Sequence, residues 1–547
     1  MNLAGILERN TRRIPQSSAV ISEDVHWSWE EFNTLVNRMG NALLSLGVKQ
    51  GDRVGIYLPN SPEYLVVYFA IAKIGAIAVA FNIMYKGAEI SYIINNSEAM
   101  ALVCLDGEAL ANVLGVWEEL SSVKHLILVA VQDVSHDASV EVSSRASHRS
   151  FPNVHSQTFR DVPDQAFPKT SPVLSFADLL DRGGADLAAV DCSPDDVVTI
   201  LYTSGTTGQP KGAMLTHRNF SENAELNACY TLHLNDQDRF LTGTPFCHIF
   251  FVLTVLGPMY KGAAVITMPR FFPDKTLELI SRFRVTHFAG VPTMYIYMLQ
   301  AYLENPEAYD LRSWRFAQAA GAAMPAEYIE RIEREFQVGF CECYGSTETS
   351  STCTYGRLGH GKAGSIGPAA ENWEVKVADG GNWEVPVGEV GEILVKGPGV
   401  FKGYWKMPAA TEEAFTDGWF HTGDLGRRDE DGYYYIVDRK KDMLICGGYN
   451  VYPREVEEVL YGHPAVLEAA VVGLPDPVKG EIPKAFISLR PGQQTSGEEV
   501  IAYCKLRMAA YKVPRLVEIL PELPKNMSGK ILKRSLKAAS QPGEQVD

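Results

Sequence analysis

The sequence predicts an α/β protein: a large N-terminal domain of layered α/β subdomains with a β-rich subdomain, then a small α+β C-terminal domain. Three observations lead there. The first third alternates helical apolar patterns with short strand-like runs, as parallel βαβ units do. Glycine- and aromatic-rich β-type segments follow as far as Asp442. Beyond it comes a compact unit of about 100 residues with apolar faces of its own.

In chain order, Met1 to Pro15 carries Glu8, Arg9, Arg12 and Arg13 with no apolar core behind them, so no signal peptide is expected. Trp29 to Leu46 has helical periodicity and stops at Gly47. Arg53 to Leu58 reads as a strand, Tyr64 to Ala72 as a helix and Ala78 to Phe81 as a strand. The apolar stretch Tyr64 to Phe81 is broken by Lys73 and Gly75, which predicts a buried helix running into a strand. A membrane span needs ~20 apolar residues. Residues 131–173, dense in Ser, His, Asp and Pro, predict a flexible surface insertion. His136, His148 and His155 within it share no face on which to hold a metal. Later, Gly391 to Lys396 and Gly432 to Val437 are β-type. In the last unit Pro453 opens a helix with Val456, Val459 and Leu460 on one face. Strands Ala469 to Val472 and Ala485 to Leu489 and helix Gly497 to Met508 follow. The division expected is 1–440 and 441–547.

Composition narrows the function. The chain has 547 residues, 46% hydrophobic and 21% charged, which are ordinary globular values. Its 50 basic and 66 acidic residues give a net charge of −16, unsuited to nucleic acid or an anionic membrane as main partner. Nine scattered cysteines, with only Cys341 and Cys343 close together, match no zinc spacing and predict reduced thiols. A cytoplasmic protein is expected, without an integral membrane segment. Its assembly stays open, with a homodimer among the options.

The most informative stretch is Thr203-Ser204-Gly205-Thr206-Thr207-Gly208-Gln209-Pro210-Lys211-Gly212, which follows the strand-like Val198 to Tyr202. Glycines and hydroxyls at this density let backbone N–H groups and side chains converge on an anion, and Lys211 adds a point charge. It is not a Walker loop: Pro210 precedes the lysine, no Ser or Thr follows it, and Ala213 to Leu215 predicts a returning strand rather than a helix.

That loop resembles the phosphate-loop signature of the adenylate-forming superfamily, which includes acyl-CoA synthetases, luciferases and peptide-synthetase adenylation domains. Further motifs come in the family's order: Tyr344-Gly345-Ser346-Thr347-Glu348, Thr422-Gly423-Asp424, Asp438-Arg439-Lys440-Lys441-Asp442, Gly447-Gly448-Tyr449-Asn450 and Ser528-Gly529-Lys530. Apart from the polar insertion, the resemblance covers essentially the whole chain.

It implies ATP-dependent activation of a carboxylic acid to acyl-AMP with pyrophosphate release, then transfer to CoA. The first step joins an anionic nucleophile to a polyanion, so it needs cations and in-line positioning more than an acid or a base. Lys530 resembles the lysine set between carboxylate and α-phosphate. Glu348 resembles the Mg2+ ligand, with Thr203 helping to position metal and phosphate, and Thr347 an α-phosphate contact. By the same resemblance Tyr344, beside Gly345, stacks on adenine against backbone at Gly321, Ala322 and Ala323. Glu342 takes the adenine amino group, at a position where the family often has an amide. Asp424 accepts from both ribose hydroxyls; Arg439 supports ribose and phosphate. Lys441 matches the hinge about which the small domain turns, and Gly448 then leaves room for the pantetheine arm, where a Cβ would narrow the passage. His248, in Pro245-Phe246-Cys247-His248-Ile249-Phe250, matches the histidine near the carboxylate; a core histidine is the other reading. Phe251 stands where a glycine is common, which bears on the shape of the acyl entrance.

The apolar stretches Phe250 to Met268 and Val291 to Met298 offer no buried Asp for an α-ammonium, so a fatty or aryl acid is expected, medium or long chain first. Tyr295 and Tyr297 read as core. Alternatives are an acyl-AMP ligase or aryl-acid ligase loading a carrier protein, a kinase-like enzyme releasing ADP, and a non-catalytic nucleotide-binding protein. Gly448 and the short tail after Lys530 favour CoA over a fused carrier; Glu348 and Lys530 favour catalysis.

Overall fold

The computed structural model describes residues 2–130, 173–203, 209–322, 324, 326–357, 361–362, 364–446, 448–525 and 530–540. The three histidines of the polar tract, Ser204, Gly205, Thr206, Thr207 and Gly208 of the loop, and Ala323, Gly447, Ser528 and Gly529 lie outside them.

Two eight-stranded sheets organise the large domain. In one the order is Thr354–Tyr355, Gly339–Tyr344, Phe316–Ala319, His287–Gly290, Arg239–Thr242, Ala264–Thr267, Ser18–Ile21, His26–Ser28. In the other it is Gly403–Tyr404, Lys211–Thr216, Val197–Thr203, Ile77–Ala80, Arg53–Tyr57, Ala101–Leu105, His125–Val129, Val173–Ser175. Each is parallel inside, and antiparallel pairs close both edges of the first and the Gly403–Tyr404 edge of the second. Parallel strands need covering on both faces, and one apolar core runs from Leu3 to Leu467 between these layers.

The helices start where local chemistry favours it. Trp29–Ser45 begins at Ser28, whose hydroxyl accepts from the Glu31 N–H while the Glu31 carboxylate accepts from the Ser28 N–H. Pro62–Lys73 starts with Pro62 after the Ser61 cap and is buried almost all round. Lys73, which interrupts the apolar run in the sequence, is buried too; Glu8 lies 3.4 Å away and Asn33 accepts its ammonium at 3.0 Å.

The β-rich subdomain is an antiparallel sheet of Glu374–Ala378, Gly391–Lys396, Trp419–Arg428 and Phe415–Thr416, with Tyr434–Arg439 paired to Trp419–Arg428. The strand expected from Gly432 begins at Tyr434, because Gly432 turns at φ +83°. The small domain packs the helices Pro453–Tyr461, Gly497–Lys505 and Lys533–Ala539 on a sheet of Tyr449–Val451, Leu444–Cys446, Gly480–Leu489, Val466–Asp476 and Leu516–Ile519. Val456, Leu460, Val471 and Ile487 lie in its own core. All nine cysteines are free thiols. Among the described residues, no helix is long and apolar enough to cross a membrane.

Candidate active site

The strand Val197–Thr203 delivers the glycine-rich loop, and Lys211–Thr216 carries the chain straight back beside it, with Thr203 opposite Lys211. The Thr203 hydroxyl donates to the Lys211 carbonyl at 3.4 Å, so the mouth of the loop is closed by an antiparallel pair rather than by a helix N-terminus. The Lys211 ammonium lies 5.0 Å from the centre of the Tyr404 ring, within cation–π range. Tyr404 in turn donates its hydroxyl to Glu348 Oε1 at 3.0 Å. The Phe401 N–H donates to the Glu348 carbonyl at 2.8 Å. Tyr404 therefore joins the base of the loop to the candidate metal carboxylate. The sequence reading missed it, because only the pairing of Gly403–Tyr404 with Met214 and Ala213 brings it there.

Glu348 sits in a single tight turn, Thr347–Thr349, after the strand Gly339–Tyr344. Gly345 permits that turn: any Cβ there would collide with the Ser351 carbonyl. Ser350, at φ +54°, and Ser351, at φ +97°, complete the bend. Among the described residues no group of three or more His, Cys, Asp or Glu side chains could hold a metal. A lone carboxylate such as Glu348 is instead the kind of protein donor that suits a magnesium ion held largely by nucleotide phosphates and water.

Asp424 and Arg439 face each other across paired strands. Arg439 Nε lies 3.2 Å from Asp424 Oδ1, and the Tyr344 hydroxyl donates to Oδ2 at 2.6 Å. A carboxylate has about four acceptor positions, so two such contacts leave capacity for hydroxyl donors. Glu342, two residues before Tyr344 and hence on the same strand face, is 8% exposed and accepts the Met324 N–H at 3.0 Å. Burial pushes its carboxyl up to about 7, so near neutrality it is partly the neutral acid, a nearer mimic of an amide. Gly321 has φ +80°, and a Cβ there would lie 3.3 Å from the Phe250 ring. Ala322 beside it is exposed.

His248 lies beside Phe250, with ring centres 5.6 Å apart. Burial, and then the charge of Lys530, push its imidazolium down to about 4, so near pH 7 it is a neutral hydrogen-bonding group. Lys530 is thereby placed in the same cleft, although it comes from the small domain. Its side chain is exposed to solvent. The surrounding protein, and then Arg439, lower its ammonium to about 8, while Asp424 and Asp442 act in the opposite sense. Lys441 is exposed in the turn Lys440–Asp442 that links the strands Tyr434–Arg439 and Leu444–Cys446.

Gly448 has φ +85° and nothing within 4 Å of a Cβ, so in this lobe orientation the backbone alone calls for glycine; the pantetheine passage expected once the small domain has turned belongs to another orientation. Phe251 is buried against Tyr68, ring centres 4.5 Å apart, and against Tyr64 and Phe246. Most of Phe250 to Met268 is likewise core.

Fold and site together define an enzyme that forms adenylates. Residues 7–405 match the family of AMP-binding enzymes, and residues 455–530 the AMP-binding enzyme C-terminal domain. The chain belongs to that family, the adenylate-forming superfamily. It is 34% identical to a long-chain-fatty-acid–CoA ligase of Bacillus subtilis (strain 168), covering 98% of this chain and 94% of that protein. It is 35% identical to a feruloyl-CoA synthase of Amycolatopsis sp, covering 96% of each. Among solved structures, anthranilate CoA ligase AuaEII in complex with anthranoyl-AMP superposes with a TM-score of 0.87 at 31% identity, covering 99% of this chain and 97% of that one.

Proposed function

We propose that the protein activates a medium- or long-chain fatty acid with ATP to acyl-AMP, releasing pyrophosphate, and then passes the acyl group to CoA. The coarser activity, AMP-forming ligation of an acid to CoA, is that of the family and of the relatives matched over nearly their whole length. One observation supports the assignment of the chemistry: a lysine of the small domain, Lys530, stands in the cleft with His248, Asp424 and Arg439.

In the first step a carboxylate oxygen attacks the α-phosphorus and the bond to the pyrophosphate oxygen breaks. Lys530 bridges the two anions and offsets their repulsion, which is electrostatic stabilisation rather than proton transfer. Asp424 holds the ribose, with Arg439 and Tyr344 fixing the carboxylate, and the Tyr344 ring supports adenine. Glu348 and Thr203 would hold a magnesium ion, which would supply charge neutralisation to the phosphates. His248, kept neutral, orients the acid without adding a further charge. In the second step the CoA thiol gives up its proton to solvent, its sulfur bonds to the acyl carbon, and AMP leaves with the electrons of the acyl–oxygen bond. Lys441 is the pivot between the two steps.

Carboxylic acids from C2 to C18 and aryl acids, scored for AMP release with and without CoA, test this reading. Strongest CoA-dependent release with C8 to C18 acids is the expected result. A preference for cinnamic or benzoic acids would replace the substrate class, and ADP release would remove the reaction.

A further inference from the structure

The helix Pro292–Glu304 carries two tyrosines that the sequence does not distinguish. Tyr295 is core: its hydroxyl is satisfied by the carbonyls of Phe288 and Gln318. Tyr297, two residues and so about 200° further round the helix, points to the small domain. Its hydroxyl accepts from the Lys525 ammonium at 2.8 Å and donates to Glu468 Oε1 at 3.4 Å. Glu468, on the strand Val466–Asp476, is 2% exposed; Lys525 Nζ lies 2.9 Å from its Oε1, and Ser488 donates to Oε2 at 3.4 Å. Lys525 also pairs with Glu522 at 3.2 Å on the solvent side.

Lys525 stands at the root of the segment that bears Lys530. An antiparallel bridge joins Lys525 to Ile531, and the Leu532 N–H donates to the Pro524 carbonyl at 2.8 Å. The Lys525–Glu468 pair lies wholly within the small domain, so it travels with that domain; Tyr297 is the one member contributed by the large domain. A buried carboxylate needs its cation in every orientation, whereas the tyrosine contact exists only when the lobes meet as they do here. Close by, Arg490 of the small domain reaches Glu327 at 3.8 Å and lies over the Tyr328 ring at 5.7 Å, so the docking site is wider than one residue.

We propose that Tyr297, docking on the Lys525–Glu468 pair, is a positioning residue that holds the Lys530 segment in register for acyl-AMP formation and has no part in thioester formation. This rests on the reaction proposed above. It gives Tyr297 a role that a merely structural residue would not have, because it predicts a split between half-reactions.

The test measures pyrophosphate exchange and, separately, thioester formation from supplied acyl-AMP and CoA in Tyr297→Phe, Lys525→Ala and Lys525→Arg. Tyr297→Phe keeps the ring and removes only the hydroxyl. It is expected to slow exchange about five- to ten-fold, with KM for ATP within two-fold and transfer undiminished. Lys525→Arg should recover more exchange activity than Lys525→Ala. Should Lys525→Ala fail to fold, Tyr297→Phe decides alone. Equal loss in both half-reactions, or no loss in exchange, overturns the proposal. If Lys530→Ala in the same assay exchanges pyrophosphate as the wild type does, the reaction assignment itself has failed, and the two failures are thereby told apart.

Discussion

The proposed nucleotide floor and the proposed lysine arm are built in opposite ways. The floor consists of Asp424 and Arg439, opposite each other on paired strands of the β-rich sheet, and of Tyr344 at the end of a strand in another sheet of the same lobe, its hydroxyl bonded to Asp424 at 2.6 Å. The arm is one side chain, Lys530, on the other lobe, and the lobe-to-lobe contact around Tyr297 brings it in. A floor fixed by backbone pairing is present whatever the small domain does. An arm that depends on docking is present only in one orientation. Nucleotide affinity should therefore belong to the floor and bond formation to the arm, and substitutions should separate the two.

The largest effect is expected from Lys530→Ala: pyrophosphate exchange falls about 10²–10³-fold while KM for ATP changes little, as for loss of one transition-state charge contact. A rise in KM with an unchanged rate would move Lys530 from the chemistry to the floor. Asp424→Ala should do the converse, raising KM for ATP about 10–100-fold, the worth of one or two hydrogen bonds to a charged group. Steady-state kinetics at varied ATP measures it.

Glu342 gives a prediction on stability. Burial raises its carboxyl from 4.5 to about 7, so the folded state binds the proton more tightly than the unfolded chain. Its contribution is fully present below pH 4.5 and is lost as pH rises through about 7. Unfolding free energy of the unliganded protein should fall by up to about 3 kcal/mol across that window relative to Glu342→Gln. Parallel urea titrations at pH 5 and pH 8 would show it, and equal differences at both values would contradict it. Gly448→Ala should have the smallest effect: an L-residue at a positive φ costs about 1–2 kcal/mol, nothing nearby opposes the methyl, and exchange should stay within two-fold.

Much of this is legible in the sequence. Alternating patterns placed the helix at Trp29 and the strand at Arg53, and Pro453 marked a helix start, because these are local signals. The ordered motifs point to the proposed floor because each is a short run on one strand or turn. What stayed hidden is long-range. Nothing near Tyr404 in the chain says that it will lie beside Lys211 and Glu348; a strand pairing across some 190 residues does. Tyr297 looks like Tyr295 in composition, and only the docking of the small domain makes one an interface residue. The apolar run after Phe250 signalled burial correctly, but burial in a core and burial around an acyl chain look alike in sequence.

The central claim, that the small lobe lends its lysine to one half-reaction only, is tested most directly by single-turnover thioester formation in Lys530→Ala supplied with acyl-AMP and CoA. A rate within about two- to three-fold of the wild type is expected in a variant that has lost pyrophosphate exchange. A fall as deep as the loss of exchange would contradict it.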